Sequence, residues 1–302
     1  MAERATNTKY LMREIFMSIQ FSKEAYHANL RIIFWNMSIF AHMIGIFDSG
    51  SGGLSVLREI IKILPEEKYA YYADNAFCPY GEKTPEFIRE RGRAITDFLL
   101  EKGADIIVVA CNTATAAAIS SLRNEYPVKF IGMEPAVKPA ALSSATGVIG
   151  VLATAGTLKG SKYLTTKGLY EDDVKIVERV GKGFVELVES GILEGPEAEA
   201  TVRESLVPLL DAGADRIVLG CTHYPFLINV IRKLAWPGVK IIDPAPAVAR
   251  HLTEVMVTEG LIRKDGGPVL PDIGIYASGD DSSARRLLSL ILEEDNLIIK
   301  DN

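Results

Sequence analysis

Residues 103–113 read Gly-Ala-Asp-Ile-Ile-Val-Val-Ala-Cys-Asn-Thr, and residues 213–223 read Gly-Ala-Asp-Arg-Ile-Val-Leu-Gly-Cys-Thr-His. In register the two stretches share Gly103/Gly213, Ala104/Ala214, Asp105/Asp215, Ile107/Ile217, Val108/Val218 and Cys111/Cys221. Each reads as the end of a helix, a run of aliphatic residues, then a cysteine at the tip of the run. Continuous apolar runs bounded by turn signals are the pattern of strands buried on both faces of a parallel sheet. The spacing between copies is too long for a solenoid. Two similar lobes are expected instead, each delivering one thiol to the same structural position. Ligands of open α/β sheets bind beyond the C-terminal ends of the strands. If the lobes face each other, Cys111 and Cys221 approach one ligand from opposite sides.

Outward from these stretches, β-rich runs alternate with helical patterns from Met43 onward, the signature of parallel α/β folding. Strands are expected at Ile44–Phe47, Tyr69–Ala73, Asp105–Ala110, Lys129–Gly132, Gly147–Leu152, Arg216–Gly220, Lys240–Ile242 and Gly274–Ala277. Ile88, Ile95 and Leu99 fall on one helix face, and Val202, Leu206, Leu209 and Leu210 on another. Pro196 suits the first turn of that second helix, after Gly195. Residues 1–42 show no clean periodicity. They read as an N-terminal extension, with Met43 expected to be the physiological start and a genuine packing or regulatory segment as the rival reading.

Composition narrows the function classes. The 302 residues are 48% hydrophobic and 24% charged, with a net charge of −6, as expected of a soluble globular protein. No basic excess offers itself to nucleic-acid phosphates, and no apolar stretch is long enough to suggest a membrane span. Three scattered cysteines make no disulfide framework, which suits a reducing cytoplasm.

A pair of thiols at matching strand tips suits chemistry that removes a proton from one face of a carbon and returns one to the other. A thiolate forms near neutral pH where its surroundings favour it, and exchanging the protonation states of the pair runs the reaction backwards. Buried cysteines are otherwise common and inert. His223, two residues past Cys221, could stabilise that thiolate or carry its proton; a structural histidine is the bland alternative. Metal binding through Cys221 and His223 lacks the usual zinc spacing and a second ligand pair, so no metal is expected. Residues 44–56, Ile-Gly-Ile-Phe-Asp-Ser-Gly-Ser-Gly-Gly-Leu-Ser-Val, read strand, glycine-rich turn, helix. Gly50, Gly52 and Gly53 would let the backbone approach a ligand, whose carboxylate would meet amides at the helix start. Ser55 stands where a dinucleotide fingerprint needs its third glycine, and no Walker lysine follows. Asp48 could accept from an ammonium group, assist a thiol, or cap the helix. In residues 74–83, Pro79 and Gly81 set the backbone path around Tyr80, whose hydroxyl or amide could reach the ligand. Cys78 has no partner in the repeat and is given no role.

IGIFDSGSGGLSV, DNAFCPYGEKT, VVACNTATA and LGCTHYP, in this order and at this spacing, resemble the glutamate racemases of the aspartate/glutamate racemase superfamily. The resemblance runs from about Met43 to near the C-terminus. It implies an α/β fold of two pseudo-symmetric three-layer domains with mainly parallel sheets, and an active site in the cleft between them. The first domain would take residues 43–135 and 245–302, the second 136–244. It also implies no pyridoxal phosphate or other cofactor, no metal, glutamate as substrate, D-glutamate supply for peptidoglycan in a bacterial cytoplasm, and a family in which homodimers are common. Cys111 would handle the proton of D-glutamate and Cys221 that of L-glutamate, supported by Asp48 and His223 respectively. Asp48, Ser49, Tyr80, Gly81, Asn112, Thr113, Thr222 and His223 would hold the amino acid, and Glu189 would assist Cys221. Around Glu189 the chain departs from the family pattern. Val180-Gly181-Lys182 stands where members often carry Ala-Cys-Pro, and Glu186 replaces a frequent proline. The rival functions are a sister racemase for aspartate or a hydantoin, and a two-lobed binding module without chemistry, which would not need matched thiols.

Overall fold

The computed structural model describes residues 42–134, 136–262 and 271–294. Apart from His42, the expected N-terminal extension lies outside the described residues. From Met43 the order is β1 (Met43–Asp48), α1 (Leu54–Ile63), β2 (Lys68–Ala73), α2 (Pro85–Glu101), β3 (Ala104–Val109), α3 (Asn112–Glu125) and β4 (Lys129–Gly132). There follow α4 (Val137–Ser143), β5 (Val148–Ala153), α5 (Ala155–Leu158), α6 (Ser161–Gly168), β6 (Lys175–Val180), α7 (Phe184–Ser190), α8 (Pro196–Asp211), β7 (Arg216–Gly220), α9 (Ile228–Leu234) and β8 (Lys240–Ile242). The chain closes with α10 (Ala245–Glu259), β9 (Asp272–Ala277) and α11 (Ser282–Glu294).

The strands form two sheets, ordered β4-β3-β1-β2-β9 and β6-β5-β7-β8, and every pairing is parallel. Reversed, the second order is β8-β7-β5-β6, so β1, β2, β3 and β4 correspond to β5, β6, β7 and β8. β9, beyond β2, is the one strand among the described residues without a counterpart. The repeated stretches are thus the equivalent strands β3 and β7. Registers agree too: Phe47 lies beside Val109 in the first sheet, and Leu152 beside Leu219 in the second.

All the expected strands are present, with ends shifted by a residue or two. The sequence reading missed β6, Lys-Ile-Val-Glu-Arg-Val, because Lys175, Glu178 and Arg179 break its apolar run. As an edge strand it has only half-buried or exposed side chains, and charged edge strands are how sheets avoid pairing with other chains. Helix packing follows the periodicity: Ile88, Ile95 and Leu99 of α2 and Val202, Leu206, Leu209 and Leu210 of α8 are all buried. Pro196 opens α8 directly after Gly195, whose φ of +93° suits glycine. One apolar cluster runs from Ile44, Leu57 and Ile60 through Phe184 and Val188 to Leu206, Ile217 and Leu227. Residues attached to both sheets therefore share a core. No helix among the described residues is long and apolar enough to cross a membrane.

Candidate active site

Beyond the ends of β3 and β7 the chain turns sharply, and the turns carry Cys111 and Cys221. Both thiols are buried, and both line one small cavity. Ser49, Tyr80, Gly81, Asn112, Thr113, Thr222 and His223 complete the set of expected residues on its wall. The space left is about 10 Å³, room for about one water. Asn112 Nδ2 is buried without a hydrogen-bond partner among the described residues. Buried donors are almost always satisfied, so this amide has capacity for a further partner.

The two sulfurs have opposite neighbours. Cys111 is the N-cap of α3, its sulfur accepting from Ala114 N at 3.4 Å and lying 3.7 Å from Ser49 Oγ. Burial pushes its thiol well above the ordinary range, and the Asp48 carboxylate pushes the same way. Cys221 Sγ instead lies 3.8 Å from His223 Nδ1. The other nitrogen of that ring, Nε2, is 2.7 Å from Glu189 Oε1. Burial works against an imidazolium here, but contacts with the Cys221 and Cys78 sulfurs and with Glu189 outweigh it, holding His223 well above its ordinary value. Burial likewise opposes ionisation of Glu189, yet His223, Ser51 and Ser283 hold that carboxyl at about 2. Both shifts favour an imidazolium–carboxylate pair, and Nδ1 of the ring faces Cys221.

The glycine-rich turn behaves differently from expectation. Its amides do meet carboxylates, but these are the protein's own. Gly53 N donates to Asp48 Oδ2 at 2.6 Å and Ser51 N to Glu189 Oε1 at 2.7 Å. The glycines admit side chains in place of a ligand. A Cβ on Gly52 would lie 2.3 Å from His223 Nδ1, and one on Gly50 would lie 2.4 Å from Glu189 Oε1. Asp48 also accepts from Ser49 N at 2.7 Å and Thr222 Oγ1 at 3.1 Å. It is fully buried, does not lie on the wall of this cavity, and ties the turn to the thiol. Burial raises its carboxyl, while the His223 charge and the hydrogen bonds from Cys111, Ser49 and Gly53 pull it back. Tyr80 lines the cavity with ring and backbone only, because its hydroxyl donates to Asp74 Oδ2. Asp74 in turn is gripped by Arg91 Nε at 2.9 Å and Nη2 at 2.7 Å.

Glu189 is no solvated helix carboxylate. Besides His223 and Ser51 N, it accepts from Ser51 Oγ at 3.0 Å and Ser283 Oγ at 2.8 Å. The unusual segment before it has a packing reason: a Cβ on Gly181 would lie 2.5 Å from the Tyr224 hydroxyl, which donates to Gly181 O at 3.3 Å. Four wall residues, Pro79, Thr154, Val185 and Gly220, were not among the expected site residues; Pro79 and Gly220 lie within motifs already quoted, whereas Thr154 and Val185 escaped the sequence reading. Thr154 follows β5 as Ser49 follows β1, so the repeat carried the signal for it. Its hydroxyl is 2.9 Å from Thr113 Oγ1, closing the gap between the two strand-tip regions. Val185 is an apolar residue of α7 with no distinguishing pattern.

Comparison with known proteins agrees with this layout. Residues 44–252 match the family model described as Asp/Glu/Hydantoin racemase. A glutamate racemase of Stutzerimonas stutzeri is 45% identical over 263 residues, covering 87% of this chain and 98% of the relative. One from Methylococcus capsulatus is 46% identical over 251 residues, covering 83% and 92%. Among solved structures, a Bacillus anthracis glutamate racemase isoform superimposes with a TM-score of 0.74 at 31% identity, covering 83% and 94%. The Escherichia coli glutamate racemase, solved with L-glutamate and an activator, gives 0.73 at 32% over the same shares. Sequence match along most of the chain, shared fold and paired strand-tip thiols lead to one assignment: this chain belongs to the Asp/Glu/hydantoin racemase family.

Proposed function

We propose that the protein is a glutamate racemase that interconverts L- and D-glutamate without a cofactor, by proton transfer between the α-carbon and two cysteines. One observation carries the reading: thiols at topologically equivalent strand tips share one buried cavity. With L-glutamate bound, Cys221 as thiolate beside the His223 cation takes the α-proton, and Cys111 as thiol returns one to the opposite face. The reverse reaction exchanges these states. Asp48, hydrogen-bonded to Cys111, then receives and returns the proton on that side. Charge developing on the substrate carboxylate is met by the unpartnered Asn112 amide and the hydroxyls of Ser49 and Thr113. Glu189 keeps His223 charged and turned toward Cys221.

The same reading takes residues 43–135 with 245–302 as one domain and 136–244 as the other, with the substrate between them. The return of β9 to the first sheet supports that division. It also places the enzyme in a bacterial cytoplasm, supplying D-glutamate for peptidoglycan, in the homodimeric state common in its family. Incubation with L-glutamate in deuterium oxide tests the central claim. Circular dichroism is expected to decay to zero while deuterium enters the α-carbon, without added cofactor. Exchange with aspartate and none with glutamate would move the assignment to the sister racemase, and no exchange with either would leave a binding protein.

A further inference from the structure

We propose that Cys78, Glu189 and His223 form a binding site for a thiophilic divalent cation of the zinc class, whose occupancy inhibits turnover. Their ligand atoms all lie within 4.8 Å of one another, although the residues come from three distant segments. Cys78 Sγ and Glu189 Oε1 flank Gly50, where an added Cβ would lie 2.9 Å and 2.4 Å from them. Tetrahedral zinc, about 2.0–2.3 Å from N, O and S donors, holds them about 3.3–3.6 Å apart. A shift of about 1 Å therefore closes the triangle around such an ion. Sulfur, imidazole and carboxylate together suit zinc rather than magnesium or calcium, and three protein ligands leave a fourth position for water. The support already exists, because Ser51 and Ser283 hydroxyls fix Glu189 Oε2 while Ser51 N holds Oε1 directed at the ring. Outer partners of this kind orient metal ligands.

The site lies behind the cavity, yet it acts on it through His223. Binding releases the Cys78 thiol proton and the Nε2 proton. The metal then holds Nε2, and the ring's one remaining proton sits on Nδ1, facing Cys221 Sγ at 3.8 Å. An imidazole in that state is neutral, and the Cys78 thiolate and Glu189 carboxylate cancel the charge of the ion, so the imidazolium that the proposed reaction sets beside the Cys221 thiolate is lost. The inhibition rests on the racemase reading, whereas the binding does not.

Cobalt(II) titration of the purified wild type and of Cys78→Ser, Cys111→Ser and Cys221→Ser separates these claims. A thiolate-to-cobalt charge-transfer band is expected in the wild type and in both cavity-cysteine variants, and is lost in Cys78→Ser. The Cys78→Ser enzyme is expected to turn over while its zinc inhibition constant rises at least roughly 100-fold, since even outer partners are worth 10–100-fold. Zinc X-ray absorption of the Cys111→Ser/Cys221→Ser double variant, with Cys78 its sole thiol, is expected to show one sulfur, and needs neither activity nor the Cys78 variant. A band that survives Cys78→Ser, equal zinc inhibition of wild type and Cys78→Ser, a zinc shell without sulfur, or no band in the wild type would each overturn the site.

Discussion

Asp105 and Asp215 show what the repeated residues are for. Asp105 Oδ2 accepts from Met43 N at 3.1 Å, and Asp215 Oδ2 from Ala145 N at 2.7 Å. Each aspartate thus pins the chain where it runs into the central strand of its sheet. Gly103 and Gly213, with φ of +97° and +91°, end the preceding helices in a conformation that suits glycine. The other shared residues are buried apolar side chains of the strands, and of the shared positions only the cysteines line the cavity on both sides, which is why the chemistry is assigned to them. Cys111→Ser and Cys221→Ser are each expected to reduce racemisation by at least about 10²–10⁴-fold, the usual worth of a general acid or base. Enantiomers have equal free energy, so kcat/KM must fall equally in both directions. Elimination from a glutamate analogue with a good leaving group needs only one base. Each variant is therefore expected to retain it for one enantiomer, Cys111→Ser for L and Cys221→Ser for D. The same enantiomer surviving in both variants would refute the opposed-face assignment.

At the scale of elements, the turn after β2 owes its shape to one buried ion pair. The Cys78–Pro79 bond is cis, and Tyr80 is fixed to Asp74, which is fully buried while its partner Arg91 on α2 is 22% exposed. Removing one partner of a buried pair leaves an uncompensated charge. Arg91→Met is expected to cost about 3 kcal/mol, the low end of that range because Arg91 reaches water. Urea unfolding would check this, with Tyr80→Phe as the comparison at about 1.5–2 kcal/mol for one lost hydrogen bond to a charged group. A cost for Arg91→Met no larger than that of Tyr80→Phe would mean that water reaches Asp74. The effect on catalysis is expected through Tyr80 and Gly81, which line the cavity.

At the scale of the molecule, polar contacts tie the two sheets' strand-tip regions together. Ser55 Oγ donates to Thr222 O at 2.8 Å, Thr113 meets Thr154, and Glu189 joins Ser51, Ser283 and His223. The last of these makes stability depend on pH. Glu189 is lowered from 4.5 to about 2, so its contribution is full above 4.5 and lost as pH falls toward about 2. His223 is raised from 6.5, so its contribution is full below 6.5 and lost as pH rises through the raised value. The Tm difference between wild type and Glu189→Gln is therefore expected to be greatest between pH 4.5 and 6.5 and to shrink on both sides. A difference independent of pH would show that the two groups do not form an ion pair.

The sequence alone determined the parallel α/β class, the pseudo-symmetry and the two thiols, because buried strands and their terminal residues repeat in register and local pattern encodes them. It missed β6, since an exposed edge strand carries no apolar signature, although the repeat implied a counterpart for β2. It also placed Asp48 and the glycine turn at the ligand. Only the tertiary structure decided that the turn's amides meet Asp48 and Glu189, that the Tyr80 hydroxyl belongs to Asp74, and that Cys78 stands beside Glu189 and His223. Each of those outcomes depends on which distant segment fills the space beside a residue. That is settled when the two sheets pack against a common core, and no local pattern carries it.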